Sequence, residues 1–530
     1  MLAGQQVVIL RDNVDRIGGN EAQRSNITAA KAIAEAVRTT LGPRGMDKMM
    51  VSQSGGDVVI TNDGATILHE MAVEHPAAKL VIEVAETQDN EVGDGTTTAT
   101  IYIGSLMEQA EALLNRKVHP TVIANGYRLG MQKALEIINE QAIRTDGEDR
   151  DILIKVAGTA VTGKSIENAK DIITGIVVDA VLAVAQKDED GKYRVDEDDV
   201  QIKTMVGDSM EDAELLRGFL LDKTRVQYSM PKRLEGARIA MLSQALAVTK
   251  TQVKSKIKIT SSEQMEAFSE QENETLRGIA EAVVASGANT LFCGKGIADA
   301  VQYYLAKANI IAIQDVPDSD MKRLARAVGA TIVSKPEDLT EGMLGEAGLI
   351  EEMKDITITK ITECKNPSTV SILLKGTSQI FVDELERAVY DATRVVMDAL
   401  EDGEFVVGGA AIDVEMMMQI NEFAAMQEGR TQLAIEAFAR MFEVIPYTLA
   451  ENSGFDQIDK MVALKRAHAN GENHAGLNVF TGEIVDMYAE GVIEPARVKR
   501  QAIMSATETA ALIIRVDDMM ISKNASQMGM

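Results

Sequence analysis

Tryptophan is absent from the 530 residues, which hold only two cysteines, Cys293 and Cys364, five histidines and nine prolines. Two cysteines cannot build a disulfide framework or a cysteine-rich zinc site. No His-Glu-x-x-His occurs among the histidines, so the zinc-hydrolase signature is missing. Positive charge is in deficit: 54 Lys and Arg against 81 Asp and Glu leave a formal charge of −27. A nonspecific nucleic-acid binder needs net positive surface, so no nucleic-acid partner is expected for the chain as a whole. Long apolar runs are missing too. The longest, IITGIVVDAVLAVA (172–185), contains Asp179, is too short to span a bilayer and reads as a buried amphipathic helix. The opening MLAGQQVVILRD offers four apolar residues before Arg11 and Asp12, which is no signal peptide. The expectation is a cytoplasmic protein in a reducing compartment, with no membrane partner.

What is present is globular: 45% apolar and 25% charged residues, in a length that predicts about three or four domains. The 28 methionines read mainly as core filler. The first 145 residues are helix-rich. A helix is expected after Ser25-Asn26, with apolar positions Ile33, Val37 and Leu41, stopped by Gly42-Pro43. A strand is expected at DVVIT (57–61) and a helix opening at Pro76. From about 148 to 217 short helices alternate with loops, and Asp190-Gly191 within KDEDGKYRVDEDD reads as a hairpin turn. From about 218 to 369, the runs ARIAML, TLFCG, IIAIQDV, ATIVS and ITITKI alternate with helices, as in a separate α/β unit. The segment 262–287 reads as a long polar helix with sparse apolar positions at Met265, Phe268 and Leu276, opened by a Ser261–Gln264 capping box and projecting from the body. The chain is helical again from about 403. Boundaries are expected near Gly158, Gly376 and Gly408-Gly409.

The strongest chemical signal is Gly93-Asp94-Gly95-Thr96-Thr97-Thr98 at a helix start. Glycines allow close backbone approach to a phosphate, and the first-turn N–H groups lack internal partners and favour an anion. Asp94 repels phosphate but suits Mg²⁺, which takes one or two carboxylates plus phosphate oxygens. The spacing is not that of a Walker A loop. Leu41-Gly42-Pro43-Arg44-Gly45 is a second glycine-flanked turn, and Gly408-Gly409-Ala410 is a third loop of close approach. Asp63 in TNDG reads either as a helix N-cap or as a group orienting an attacking water. Lys164 stands on a glycine-containing loop. Asp391 stands on a helix beside Ala388, Val395 and Val396, where a carboxylate needs a partner or a task; none is close in sequence. Each of these features taken alone also has an ordinary structural explanation, as a cap, a helix stop or a surface charge.

Taken together they resemble the group II chaperonin family, the archaeal thermosome and the eukaryotic cytosolic chaperonin. The resemblance runs from about Val7 to Ser522 through TTLGPRGMDKM (39–49), TNDGATIL (61–68), EVGDGTTTAT (91–100), TGKS (162–165), FCGKGIADAVQYYLAK (292–307), CKNP (364–367), AGLNVFTGEI (475–484) and GVIEPARVKRQAI (491–503). It implies a multidomain α+β fold. A mostly helical equatorial ATPase domain would use 1–147 and 403–530, a small α/β intermediate hinge domain 148–217 and 370–402, and an α/β apical substrate domain 218–369, with a helical lid protrusion at about 246–280. It also implies two stacked rings, with eight subunits in each, built from this chain or with paralogous subunits. ATP and Mg²⁺ are the implied cofactors and non-native client proteins the implied partners.

The implied roles carry over by position. Leu41, Gly42, Pro43 and Gly45 would form the first nucleotide loop, Asp94 the Mg²⁺ ligand, and Gly95, Thr96, Thr97 and Thr98 the phosphate cradle. Asp63 and Asp391 would position and activate the hydrolytic water, and Lys164 would sense the γ-phosphate. Gly408, Gly409, Asn478 and Glu494 would contact the nucleoside side. Tyr303, Tyr304 and Lys307 fall on the helix that resembles the substrate-facing apical helix. The implied mechanism is ATP binding and hydrolysis that close a built-in lid around a client. The alternative is a weakly hydrolysing ring paralogue in a hetero-oligomer. Four departures stand out: Ala410 where the family usually has a third glycine, an unusual opening RDNVDR, a Gly-Met tail reduced to one Met-Gly-Met within SQMGM, and a basic TKTQVKSKIKI at the lid base.

Overall fold

The structure, a computed structural model, describes residues 14–51, 58–145, 147–164, 169–207, 209–248, 262–353, 357–365 and 369–522. The stretch TKTQVKSKIKI, Ser261 of the expected capping box, the C-terminal SQMGM and parts of RDNVDR, TGKS and CKNP lie outside the described residues, as do the side chains of Gln264, Met265 and Phe268. The chain divides into two compact units, Met1–Val178 with Gln379–Met530, and Asp179–Ser378.

The first unit is built on long helices. Asn20–Arg38, Pro76–Val92, Thr96–Asn115, Pro120–Gln141, Arg430–Met441 and Ala496–Ile513 supply one core. At its centre Tyr102, Tyr127, Phe438 and Phe442 are fully buried. Tyr102 and Phe442 meet edge to face with centroids 5.5 Å apart. Glycine lets the helices come close, since a Cβ on Gly104 would lie 2.3 Å from that of Ala34.

The first helix differs from its sequence reading at both ends. Ser25 and Asn26 are inside it, and Ser25 Oγ meets His75 Nε2 at 3.0 Å. The helix stops at Arg38, before Leu41. Thr40 turns its hydroxyl back onto the Val37 carbonyl at 2.7 Å, and Asn452 Nδ2 takes the carbonyls of Arg38 and Leu41 at 3.3 and 2.9 Å. Pro76 does open its helix at the first position, with His75 as N-cap. Gly158, expected near a boundary, is buried inside the helix Arg150–Val161.

Small sheets place the loops of this unit. Glu404–Val407 lies between Ile493–Pro495 and Ile143–Arg144, which sets Val406 opposite Glu494. Ala475–Leu477 pairs with Ile484–Asp486. Lys48–Val51 pairs with Val58–Thr61, and Val14–Gly18 with Asp518–Ser522.

The second unit carries a nine-stranded mixed sheet. Its order is Ile311–Ile313, Thr290–Cys293, Arg233–Leu242, Gly345–Glu352, Thr359–Cys364, Glu214–Leu221, Val370–Gly376 and Val200–Val206, with Ile332–Val333 also paired to Arg233–Leu242. All five strand-like runs of the sequence are members. The Gln186–Lys187 and Tyr193–Arg194 hairpin turns at Asp190-Gly191, as read. The polar segment forms the helix Ser262–Ala285. Leu276, Ala280 and Val283 are buried in a core with Val301 and Leu305, while Ser269 to Thr275 are exposed. The multidomain α/β architecture thus agrees with the fold class expected from sequence. Among the described residues no helix is long and apolar enough to cross a membrane.

Candidate functional site

The first unit holds a cavity of about 590 Å³, within the range of small-molecule sites. One wall is the junction of two helices. Pro76–Val92 ends at Gly93, in the left-handed region at φ 68°. A Cβ there would lie 2.3 Å from that of Arg394, so only glycine fits. Gly95, at φ 78°, starts the helix Thr96–Asn115 and provides no side-chain cap. The first-turn N–H groups of this 20-residue helix therefore open toward the cavity at the positive end of the helix dipole. Asp94 Oδ1 accepts from Gly95 N at 2.7 Å. Buried Gln88 braces the loop, donating through Nε2 to the Asp94 and Val498 carbonyls at 2.9 and 3.2 Å.

The second wall is Thr40 to Pro43. Gly42 has φ 81°, and a Cβ on it would strike Leu449 at 2.4 Å. The third is Gly408-Gly409-Ala410, ahead of the helix Ala411–Ala425, which also starts without a side-chain cap. A Cβ on Gly409 would lie 2.6 Å from Met487 Cε. Leu477 N donates to the Gly409 carbonyl at 2.9 Å, which fastens the Ala475–Leu477 strand to this loop.

Acids and one lysine meet between these walls. Lys164 forms a buried ion pair with Asp391, supplying the partner that Asp391 lacks in sequence. Burial pushes the Asp391 carboxyl up to about 8; Lys164 pulls it down, and Asp63 and Asp94 add to the rise. Burial pulls Lys164 down, but Asp391, Asp94 and Asp63 together hold its ammonium above the ordinary range. Asp89 rises to about 6 through burial and the nearby Asp63 and Asp94. Asp63, Asp89, Asp94 and Asp391 outnumber the two cations that act on them, Lys164 and Arg394, so this corner of the cavity favours an added cation. Among the described residues no three Asp, Glu, His or Cys side chains converge to hold a metal by themselves. The donor set suits an ion held by one carboxylate together with phosphate oxygens and water, the manner of Mg²⁺.

Most of the sequence-derived residues come together here. Leu41, Gly42, Pro43, Asp63, Asp94, Gly95 to Thr98, Lys164, Gly408, Gly409, Asn478 and Glu494 all line the cavity. Asp63 faces it and also caps a helix, accepting from Thr66 N at 2.7 Å, so both of its sequence readings apply. Asp391 reaches the cavity only through Lys164. Gly45 is not on the wall. It closes the turn, its N–H donating to Gly42 O at 2.8 Å, and a Cβ would strike Thr40 O at 2.2 Å. The Asn478 side-chain oxygen is engaged by the N–H groups of Phe480 and Thr481.

Tyr303, Tyr304 and Lys307 belong to the second unit, on the helix Asp299–Lys307. Tyr303 is 57% exposed, Tyr304 packs against the core, and Lys307 is exposed.

Sequence reasoning missed several wall residues. Asn62 and Gly64 flank Asp63. Asn62 Nδ2 donates to Gly163 O at 2.8 Å, and a Cβ on Gly64 would strike Thr97 Oγ1 at 2.4 Å. The TNDG motif held that signal. Asp413 and Lys499 line the cavity as a buried pair 86 residues apart, and no local pattern marks them.

Comparison with known proteins agrees with this geometry. The TCP-1/cpn60 chaperonin family model matches residues 33–524. The chain is 51% identical to the thermosome subunit beta of Archaeoglobus fulgidus, over 98% of this chain and 96% of that one. It is 50% identical to the thermosome subunit of Methanopyrus kandleri, over 99% of this chain and 97% of that one. An open-state monomer of a group II chaperonin from Methanococcoides burtonii superposes with a TM-score of 0.62 at 41% identity, covering 80% of this chain and all of that one. Fold, motifs and relatives converge: the chain belongs to the TCP-1/cpn60 chaperonin family, as a group II chaperonin subunit.

Proposed function

We propose that this subunit binds and hydrolyses ATP in the cavity of the first unit and uses the cycle to enclose and release non-native proteins. The observation that carries the reading is the uncapped start of the Thr96–Asn115 helix, with Asp94 beside it and the Lys164–Asp391 pair at the same cavity. In this reading the N–H and hydroxyl groups of Gly95 to Thr98 bind the phosphates. Asp94 holds Mg²⁺, which supplies charge neutralisation at the phosphate oxygens. Asp63 and Asp391 orient the attacking water and take its proton, and Lys164 faces the terminal phosphate. Gly408, Gly409, Asn478 and Glu494 receive the nucleoside.

The three-domain division expected from sequence, the lid protrusion near 246–280 and the substrate-facing role of Tyr303, Tyr304 and Lys307 belong to the same proposal. So does the double ring of eight-membered rings. Both cysteines are free, which fits a reducing cytoplasm.

Asp391→Ala tests the site. MgADP affinity should stay within a few-fold of wild type and ATP turnover should fall by about 10²-fold or more. Undiminished turnover removes Asp391 from the mechanism.

A further inference from the structure

The helix Pro76–Val92 ends at the cavity with charges of the wrong sign for a helix end. Its last turn holds Asp89 and Glu91 and no basic residue, although the unpaired carbonyls there favour a cation. Gly93 N serves the Asp89 carbonyl at 2.8 Å. The next two carbonyls are met from 304 and 303 residues away: Arg394 Nη2 donates to Asn90 O at 2.7 Å and to Glu91 O at 3.4 Å. The half-buried Arg394 lays its stem along Gly93, where a Cβ would sit 2.3 Å from Arg394 Cβ and 2.8 Å from its Cγ. Its charge reaches the acidic corner as well. Burial, Asp63 and Asp94 raise the Asp89 carboxyl, and Lys164 and Arg394 oppose them.

Arg394 shares the helix Gln379–Asp402 with Asp391. Residues three apart lie on one face of a helix. From that face Asp391 reaches Lys164, and Arg394 reaches the peptide groups just ahead of Gly93-Asp94-Gly95. The guanidinium therefore ties the helix that carries Asp391 to the loop that carries Asp94. The loop has braces of its own, from Gln88 to the Asp94 and Val498 carbonyls and from Asp94 to Gly95 N. Without Arg394 the loop would keep its shape but lose its fixed placement against Asp391.

We propose that Arg394 is a positioning residue for hydrolysis: by clasping the end of the Pro76–Val92 helix, it seats the helix bearing Asp391 on the phosphate loop and holds that carboxylate in one geometry relative to the cradle. This rests on the nucleotide reading above. Arg394 is off the cavity wall and acts through Asp391. A guanidinium suits the task because its planar fork offers several donors and it does not lose its charge.

The test compares ATP turnover and MgADP affinity of the assembled subunit in wild type, Arg394→Met, Arg394→Lys and Arg394→Gln, with Arg394→Met also placed in an Asp391→Ala background. Arg394→Met keeps a stem over Gly93 and removes the donors. It should lower kcat by about tenfold or more and leave MgADP affinity within about threefold of wild type. Arg394→Lys should recover much of the loss, and Arg394→Gln, which lacks the charge, less of it. In the Asp391→Ala background Arg394→Met should cost no more than about a further twofold, because the carboxylate it positions is gone. An equal loss in both backgrounds, as general destabilisation would give, overturns the proposal. So does unchanged turnover in Arg394→Met, or a fall in MgADP affinity that matches the fall in turnover. If Arg394→Met does not assemble, the other two variants decide: higher turnover in Arg394→Lys than in Arg394→Gln supports the proposal, and equal turnover overturns it. A wild type that does not turn over ATP overturns the nucleotide reading, and this proposal with it.

Discussion

Ala410 is a non-glycine residue in the left-handed region, at φ 68°, immediately ahead of an uncapped helix on the cavity wall. Such a conformation costs an L-residue about 1–2 kcal/mol, and glycine returns part of that gain as unfolded-state entropy. Ala410→Gly should therefore stabilise the nucleotide-free subunit by about 0.5–1 kcal/mol, read as a higher urea midpoint; a lower midpoint contradicts it. The sequence marks Ala410 as a departure from the family's glycines, but only the backbone angle shows that the cost is strain as well as crowding. Asp391 teaches the complementary lesson. Its helix places it near apolar neighbours, so its need for a partner is legible. The partner, Lys164, is 227 residues away, and a separation of that size leaves no trace in local pattern. The Tyr102–Asp413 contact, across 311 residues, is hidden for the same reason.

Among elements, those fixed by local chemistry are the ones the sequence reveals. Pro76 opens a helix, Asp190-Gly191 turns a hairpin, and the apolar runs of the second unit become strands. Helix ends decided by distant groups are not legible: Asn452 helps end the first helix at Arg38. The join between the helices Gln379–Asp402 and Ala496–Ile513 is of this hidden kind. Arg497 pairs with Asp398 at 2.7 Å and with Glu401 and Asp402. Asp398 is 6% exposed, its Oδ2 meets no hydrogen-bond donor among the described residues, and burial raises its carboxyl to about 7 despite Arg497. A raised folded-state pKa means the native protein binds more protons than the unfolded chain between about 4 and 7, so this group's contribution to stability falls as pH rises through that window. The melting temperature of Asp398→Asn relative to wild type should accordingly rise by about 2 °C or more from pH 5 to pH 8. A difference that stays constant or shrinks contradicts the assignment.

At the scale of the whole molecule, the charge of −27 makes copies of this chain repel one another, so any assembly must rest on specific contacts. Sixteen copies of a 57.3 kDa chain weigh about 0.9 MDa, and light scattering on the purified subunit should find that mass. A particle near one subunit, restored to the large mass by a paralogue, would make the ring a mixed one. Two relatives from Archaeoglobus fulgidus, thermosome subunits alpha and beta, match this chain at 50% and 51% identity, so neither ring composition is favoured by resemblance. The most direct test of the central claim is the yield of a chemically unfolded protein diluted into the assembled subunit, followed as recovered enzyme activity with and without MgATP. Recovery should require MgATP and be lost in Asp391→Ala. Equal recovery with and without nucleotide, or unchanged recovery in that variant, would contradict it.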